Sequence, residues 1–346
     1  MIVSFVLVAY NEGKTLRETL DNLINQDYPH DKIEVLLIDS MSTDNTADIM
    51  KEFAAEDHGF RNVMLLKNEN KQIPYGCNVA LDNYTGDAIV RVDAHVFFPK
   101  DFISKSVNVL REGEDIAGGQ VVSVALNDTP FQNTLLIVEN STFCGSVAKF
   151  RHLTKREYVS TMAFGLYRRE VFEKVGKYNV LLPRSEDNDM NYRVNKAGYK
   201  LCCDPGIVST RHNRGSFKSL LRQKYLNGYW IGKTMGVSPK CYSLFHFVPF
   251  GFVMGIIITT LLCFFGFPYL SWLMWLMYIL VDFAVSAREI IGKKFNVTNL
   301  LLPILFFIMH LGYGVGTLLG LIVMPFWLLK VKKQMHKEKE KEKAVV

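Results

Sequence analysis

The chain opens with a short, nearly unbroken apolar run, Ile2-Val3-Ser4-Phe5-Val6-Leu7-Val8-Ala9, which stops at Tyr10-Asn11-Glu12-Gly13. A run of this kind ending in a polar turn predicts a strand buried on both faces, as in a parallel sheet. Over residues 15–25 the period changes. Leu16, Leu20, Leu23 and Ile24 fall on one helical face. Residues 33–39 form the next apolar run and end on Asp39. Ser42-Thr43-Asp44-Asn45 supplies capping residues for a helix over 46–54. Residues 63–66 predict a third strand, 75–81 a helix, and 88–93 a fourth strand that ends on Asp93.

Strands alternating with helices predict a parallel α/β sheet with right-handed crossovers. Ligands of such sheets sit outside the carboxyl ends of the strands. Asn11 with Glu12, Asp39 and Asp93 would lie at those ends. One strand-end Asp is ordinarily a turn former or cap; three such ends on one rim predict a site.

The polar positions thin out past residue 240. Residues 247–287 carry a single charge, Asp282, with Gly266-Phe267-Pro268 in the middle. At about 20 residues per span this predicts a helical membrane hairpin. Residues 300–329 hold no Asp, Glu, Lys or Arg. With Pro303, Gly312, Gly314, Gly316, Gly320 and Pro325 they read either as one long tilted span or as a re-entrant element. Trp272, Trp275, Tyr278 and Trp327 are candidate interfacial aromatics. The expected organisation is a domain over 1–240, about three membrane helices over 241–329, and a tail over 330–346.

Charge changes the picture little. The net charge is +6, and the tail's seven Lys and three Glu account for +4 of it, leaving +2 elsewhere. That is no nucleic-acid-binding balance. A Lys-rich tail after an apolar run reads as a membrane-surface or topology signal, or as a solvated terminus. The basic linker over 288–294 and the tail both favour the cytoplasmic side, which three spans cannot give both of them. The six cysteines include no CxxC pair. Reduced thiols in a cytoplasmic domain are expected rather than a zinc cluster or disulfide framework. The first nine residues lack a charged n-region and read as a strand, not a signal peptide.

Two further pieces carry chemistry. Asp93-Ala94-His95 places a carboxylate and an imidazole at a strand end, a pair that suits Mg²⁺ or Mn²⁺, although as an isolated tripeptide it is more simply a strand-end Asp beside a surface His. Arg184-Ser185-Glu186-Asp187-Asn188-Asp189 precedes a predicted helix over 190–198 that Gly198 closes. One acid there is accounted for by capping. Two side by side exceed that need and supply a candidate general base. GxGxxG and GxxxxGK[ST] are both missing, which argues against a dinucleotide enzyme and a P-loop ATPase.

Taken together these pieces resemble the family-2 glycosyltransferases, which have the GT-A nucleotide-sugar fold. The resemblance is carried by Val8-Ala9-Tyr10-Asn11-Glu12, Ile38-Asp39-Ser40-Met41-Ser42-Thr43-Asp44-Asn45-Thr46, Gly76-Cys77-Asn78-Val79-Ala80, Gly86-Asp87, Asp93-Ala94-His95 and Glu186-Asp187, in order along residues 1–235. Val92-Asp93-Ala94-His95-Val96 and the apolar C-terminal segments look like the bacterial exopolysaccharide enzymes of the succinoglycan ExoA type.

The resemblance implies an α/β Rossmann-like nucleotide-sugar domain followed by C-terminal transmembrane helices. It implies that Ala9, Tyr10, Glu12 and Asp39 bind the nucleotide base and ribose, with Lys71 and Asn78 lining the same pocket. Asp93 and His95 stand at the DxD position and would hold Mn²⁺ or Mg²⁺ on the diphosphate, His95 replacing the second acid. His212, after a strand predicted over 202–210, stands where a further metal ligand is often found. Asp187 aligns with the catalytic base, and Glu186 lies toward the acceptor. The implied reaction inverts the anomeric centre, so a UDP-α-sugar gives a β-linkage, with UDP-glucose the favoured donor and a lipid-linked saccharide the acceptor. Arg222, Gln223 and Trp230 on a membrane-proximal helix are acceptor-side candidates, and the basic stretch 211–224 would attract a lipid diphosphate. Processive synthases carry QxxRW in that region, and this chain does not, so addition of one sugar is expected. Sugar choice would rest on loops over 118–158. The expected setting is the cell membrane, multi-pass, with the catalytic domain cytoplasmic. The rival readings are a processive polysaccharide synthase and a non-catalytic membrane assembly subunit.

Overall fold

A computed structural model describes residues 1–144, 148–213, 215–291 and 296–345, with side chains described as far as residue 333. The predicted alternation is present. β1 (Val3–Ala9), α1 (Leu16–Ile24), β2 (Ile33–Asp39), α2 (Thr46–Ala55), β3 (Asn62–Lys67), α3 (Ile73–Asn83) and β4 (Ala88–Asp93) follow one another. The start of α3 lies two residues before the sequence estimate because Pro74 occupies its first turn, where a missing N–H costs nothing. Then come β5 (Val96–Phe97), α4 (Phe102–Arg111), β6 (Ile116–Val124), α5 (Pro130–Asn140), β7 (Glu157–Val159), β8 (Leu166–Arg168), α6 (Arg169–Val175), α7 (Glu186–Lys196) and β9 (Leu201–His212). The stretch 118–158, expected as loops, therefore holds most of a strand and a whole helix. Its Gly118-Gly119 pair hides the strand signal. At Gly119 a Cβ would meet the Ile207 carbonyl oxygen at 1.8 Å, so glycine is needed where β6 kinks against β9.

Among the described residues the sheet has nine strands, in the order β3-β2-β1-β4-β8-β6-β9-β5, with β7 also paired to β9. β1, β2, β3 and β4 are parallel, and β8 runs antiparallel to β4 and β6. β1 is buried along nearly its whole length, as its apolar run requires. Within the otherwise apolar β2, Glu34 is buried yet satisfied. It accepts hydrogen bonds from Ser4 Oγ at 2.5 Å, Thr85 N at 2.9 Å and Thr85 Oγ1 at 3.0 Å.

The chain divides into two compact units. One comprises Met1–Val124 and Ala148–His212, the other Ala125–Val147 and Asn213–Val346. The boundary thus falls at His212/Asn213 rather than near residue 240, and α5 belongs with the C-terminal helices. The reason is packing. Leu135 and Val138 of α5 bury against Leu220, Leu302 and Phe306.

The second unit adds α8 (Phe217–Thr234), α9 (Val248–Phe264), α10 (Pro268–Ile290) and α11 (Leu302–Val345). Three stretches, Leu244–Phe264, Pro268–Ile290 and Val297–Lys333, are long and apolar enough to cross a membrane. The hairpin turn expected at Gly266-Phe267-Pro268 is there, with Gly266 at φ +85° and Pro268 opening α10. Residues 300–329 are one continuous helical stretch with Pro325 inside it, not a re-entrant element. That helix continues through the basic tail, and residues 292–295 of the expected basic linker lie outside the described residues.

α8 and α11 approach backbone to backbone through glycine. A Cβ on Gly228 would meet Tyr313 O at 2.1 Å, one on Gly316 would meet Tyr225 O at 2.2 Å, and one on Gly320 would meet Tyr229 O at 2.1 Å. Small residues spaced by four are how apolar helices pack closely. Tyr278, a candidate interfacial aromatic, is half-buried, its hydroxyl 3.0 Å from His310 Nδ1, while His310 Nε2 is 2.6 Å from the Phe143 carbonyl oxygen.

Gly320→Ala is expected to lower stability by about 1–3 kcal/mol, because backbone must move to admit the methyl group. Gly251→Ala, whose Cβ would stand in open space, serves as control. Thermal unfolding in detergent measures both; equal melting temperatures would remove the close-packing account.

Candidate active site

The loops after β1 and β2 are stitched together. Asn11, in the left-handed region at φ +54°, accepts the Thr43 N–H on Oδ1 at 2.8 Å and donates its own N–H to Ser42 Oγ at 3.0 Å. Glu12 N–H donates to Thr46 Oγ1 at 2.8 Å, and Gly13 N–H to Asp44 Oδ2 at 3.1 Å. A Cβ on Gly13 would meet Asn45 Oδ1 at 1.9 Å, so any larger residue there must displace the Asn45 side chain. Met41 and Lys71, in the loops after β2 and β3, also have positive φ. Three successive loops on the carboxyl rim are therefore held in sparsely populated backbone conformations, as functional loops often are.

The register sets the rim. Ala9 pairs with Asp39 and Val8 with Asp93. Tyr10, Glu12, Asp39, Lys71, Asp93 and His95 accordingly gather at the carboxyl ends of the parallel strands. Ala9 is buried and its carbonyl accepts the Ser40 N–H at 2.9 Å. Asp39 uses one oxygen on the Ser42 N–H at 3.1 Å. Glu12 holds His95, with Oε1 3.2 Å from Nδ1, and its other oxygen accepts from Thr15 Oγ1 at 3.1 Å.

Other candidates have protein partners. Asn78 clamps the Tyr178 backbone from both sides, accepting its N–H at 2.8 Å and donating to its carbonyl at 2.9 Å. Its amide serves a tertiary contact 100 residues along the chain. His212 is the last residue of β9, not beyond it, and meets the edge of Phe97 at 5.2 Å between ring centroids. Among the described residues no three His, Cys, Asp or Glu side chains are grouped to hold a metal. In the other unit, Arg222 is exposed and Gln223 half-buried on α8. Trp230 is packed against Trp327, and the Lys233 ammonium sits 4.1 Å and 4.3 Å from the two rings. Lys233 thus makes a cation–π contact with both rings.

The acidic cluster lies within α7, not before it. Ser185 stands at the N-cap position, and Glu186, Asp187 and Asp189 lie in the first turn. The sequence placed the start late because Glu186-Asp187-Asn188-Asp189 has poor intrinsic helix propensity, which the helix dipole offsets at this end.

What sequence reasoning missed is Arg91. Its Nη2 lies 3.2 Å from Asp187 Oδ2 and 3.3 Å from Asp93 Oδ1, and its Nη1 lies 3.5 Å from Glu186 Oε1. Nη1 is also 3.6 Å from Cys77 Sγ. The signal was present as a lone Arg in the apolar strand Ala88-Ile89-Val90-Arg91-Val92-Asp93, on the same face as Asp93. Behind this group, Cys77, Tyr167, Tyr178 and Met162 line a narrow cavity of about 30 Å³, which Arg91 and Asp187 also border.

One cation against three carboxylates sets the protonation. Burial, and then the neighbouring Asp187, push Glu186 up to about 8, against the pull of Arg91. Its Oε2 is buried without a hydrogen-bond partner. Burial also raises Asp187, with Arg91 opposing. Burial works against charge on Arg91, yet Asp187 and Asp93 hold it charged well above its ordinary range. The Cys77 thiol is pushed up to about 12, chiefly by burial, and is no nucleophile.

Four parallel strands with acids along their carboxyl rim, and paired carboxylates in the first turn of α7, are the features that the GT-A type of nucleotide-sugar enzyme would use. Residues 4–176 match the family model of glycosyl transferase family 2, and the chain belongs to that family. It is a glycosyltransferase. It is 27% identical over 328 residues, 92% of this chain and 97% of the relative, to the dolichyl N-acetyl-α-D-glucosaminyl phosphate 3-β-D-2,3-diacetamido-2,3-dideoxy-β-D-glucuronosyltransferase of Methanococcus voltae. It is 27% identical over 202 residues, 58% of this chain and 59% of the relative, to the succinoglycan biosynthesis protein ExoA of Rhizobium meliloti. Among solved structures, a mannosyltransferase from Pyrobaculum calidifontis in complex with GDP-Man and Mn²⁺ shares the fold. Its TM-score is 0.53 at 19% identity, covering 94% of this chain and 86% of that one.

The raised Glu186 carboxyl has a consequence for stability. The folded chain keeps its proton up to about pH 8, whereas an unfolded Glu releases it near 4.5. Between these values the folded state binds more protons, so stability falls as pH rises. Glu186→Gln is expected to flatten that part of the profile and to raise the melting temperature at about pH 9 relative to the native chain. Melting temperature against pH checks this; an unchanged slope would assign the effect elsewhere.

Proposed function

We propose that this enzyme is a metal-dependent, inverting transferase that moves a sugar from a UDP-sugar to a lipid-linked saccharide, with Asp187 as general base. The observation that carries this reading is the pairing of Asp93, at the end of β4, and Asp187, in the first turn of α7, on one guanidinium nitrogen. Donor-side and acceptor-side carboxylates stand within a few ångströms of one another. The acceptor class rests on the Methanococcus voltae relative, whose name gives a dolichyl-linked sugar phosphate as acceptor and which aligns over 92% of the chain, apolar helices included. UDP-glucose is the favoured donor through the exopolysaccharide likeness, and that relative adds diacetamido uronic acids to the donors worth trying.

Asp93, one-third exposed, with His95 two residues on, offers an oxygen and an imidazole of the kind that Mg²⁺ or Mn²⁺ completes with phosphate oxygens and water. The surplus of carboxylates over cations around Arg91 fits such an ion. When bound, the ion supplies positive charge that stabilises the departing diphosphate. Tyr10, Asp39 and Lys71 on the rim bind the nucleotide. Asp187 takes the proton of the acceptor hydroxyl as that oxygen forms its bond to the anomeric carbon. The bond from that carbon to the diphosphate oxygen breaks on the opposite face, and UDP leaves with the electron pair. One displacement inverts configuration, so an α-linked donor gives a β-linked product. No covalent enzyme intermediate is formed.

The catalytic unit is assigned to the cytoplasmic side, where reduced thiols persist; no disulfide joins any of the six cysteines. The three apolar helices anchor it where a lipid-linked acceptor is presented.

The test is UDP release by detergent-purified protein on a panel of UDP-sugars with a polyprenyl-linked acceptor, in Mn²⁺ or Mg²⁺. Asp187→Asn is expected to lower turnover by about 10³-fold while UDP binding changes little. Asp93→Ala and chelation are each expected to abolish release. Turnover retained in Asp187→Asn would overturn the base assignment.

A further inference from the structure

Arg91 is a charge that the sheet's packing has no use for. On β4 it shares a face with Ile89 and Asp93, and it pairs in register with Val6 of β1, which in turn pairs with Leu36 of β2; both are fully buried. An apolar side chain would suit that row. Burying an ion costs several kcal/mol, and exchanging a buried ion cluster for apolar residues is often neutral or stabilising. Packing alone therefore does not account for arginine here. What arginine does at this point is specific. A single nitrogen, Nη2, reaches both Asp93 and Asp187, while Nη1 turns toward Glu186 and Cys77.

We propose that Arg91 is a positioning residue that ties the aim of the base to the donor side of the site. By bridging Asp93 and Asp187, the guanidinium fixes where the Asp187 carboxylate points and links that direction to the place of Asp93. Glu186, buried beneath, supports the fork from its other edge. The inference rests on the roles given above to Asp93 and Asp187. It follows that charge alone is insufficient. A lysine ammonium is a point charge on a flexible stem and lacks the planar fork that spans two carboxylates. A misplacement of about 1 Å in a reacting group costs on the order of 10²-fold in rate.

The experiment compares the native enzyme with Arg91→Lys, Arg91→Met, Glu186→Gln and the double variant Arg91→Met/Glu186→Gln. The double variant keeps the test falsifiable if Arg91→Met fails to fold, because it removes the most buried acid of the cluster together with the cation and leaves only the partly exposed Asp93 and Asp187 without it. Read out are kcat, KM for the donor, Kd for UDP by calorimetry without metal, and melting temperature. The double variant is expected to fold and to bind UDP within about threefold of Glu186→Gln, yet to turn over about 100-fold more slowly than that variant. Arg91→Lys is expected to recover no more than about a tenth of native kcat. Turnover equal to that of Glu186→Gln, or full recovery by lysine, would overturn the proposal, and so would a loss of UDP binding that matches the loss of turnover. Asp187→Asn, assayed alongside, separates the two levels. Retained turnover there removes the base assignment itself, whereas lost turnover there with a fully active double variant removes only the coupling.

Discussion

Everything at the rim depends on the parallel hydrogen-bond ladder that makes three strands stop at one level. Ala9 faces Asp39 and Val8 faces Asp93 across that ladder. A slip of one residue in either pairing would exchange the side chains presented to the two faces of the sheet, and the packing on each face opposes it. The loops then inherit a fixed starting point. Asn11, Ser42, Thr43 and Asp44 spend their polar groups on each other's backbone, which keeps the strained φ at Asn11 and Met41 in place. Glu12 and Asp39 are delivered to the rim by that stitching rather than by their own preferences.

The same geometry forces like charges together. Asp93 comes from the sheet and Glu186 and Asp187 from a helix start, and all three meet a single guanidinium. Water would separate such charges cheaply; the site instead removes much of the water. The outcome is two adjacent carboxyls in different surroundings. Burial raises both, Glu186 up to about 8, and Glu186 is the more buried of the two, whereas the Asp187 side chain is 41% exposed.

The sequence was most legible where the physics is local. Apolar runs closed by polar turns located β1, β2 and β4, and the rim acids followed from their positions at strand ends. Residues whose meaning depends on distant partners were not legible. Arg91 reads as an interruption of β4 until α7 is placed opposite it. The hold of Asn78 on the Tyr178 backbone, and the packing of Trp230 with Trp327, are contacts between distant residues that no local pattern announces. The glycines of α11 were noticed as possible breaks in a span, yet their use is the reverse, since they let α8 lie against an unbroken helix. The Asp187 motif was found by its acids, although the helix begins earlier than propensity suggests, because a dipole effect at the first turn is invisible to residue averages.

The detour of the chain between β6 and β7 has a consequence for how the molecule can be divided. The first unit is not a continuous stretch. It is interrupted by Ala125–Val147, which packs with the C-terminal helices. A single cut after His212 would leave α5 attached to the catalytic unit with Leu135 and Val138 stripped of the residues they bury against. The second unit is therefore woven into the sequence of the first rather than appended to it, and separating the two requires two edits, removal of the region after His212 and excision of the stretch that carries α5.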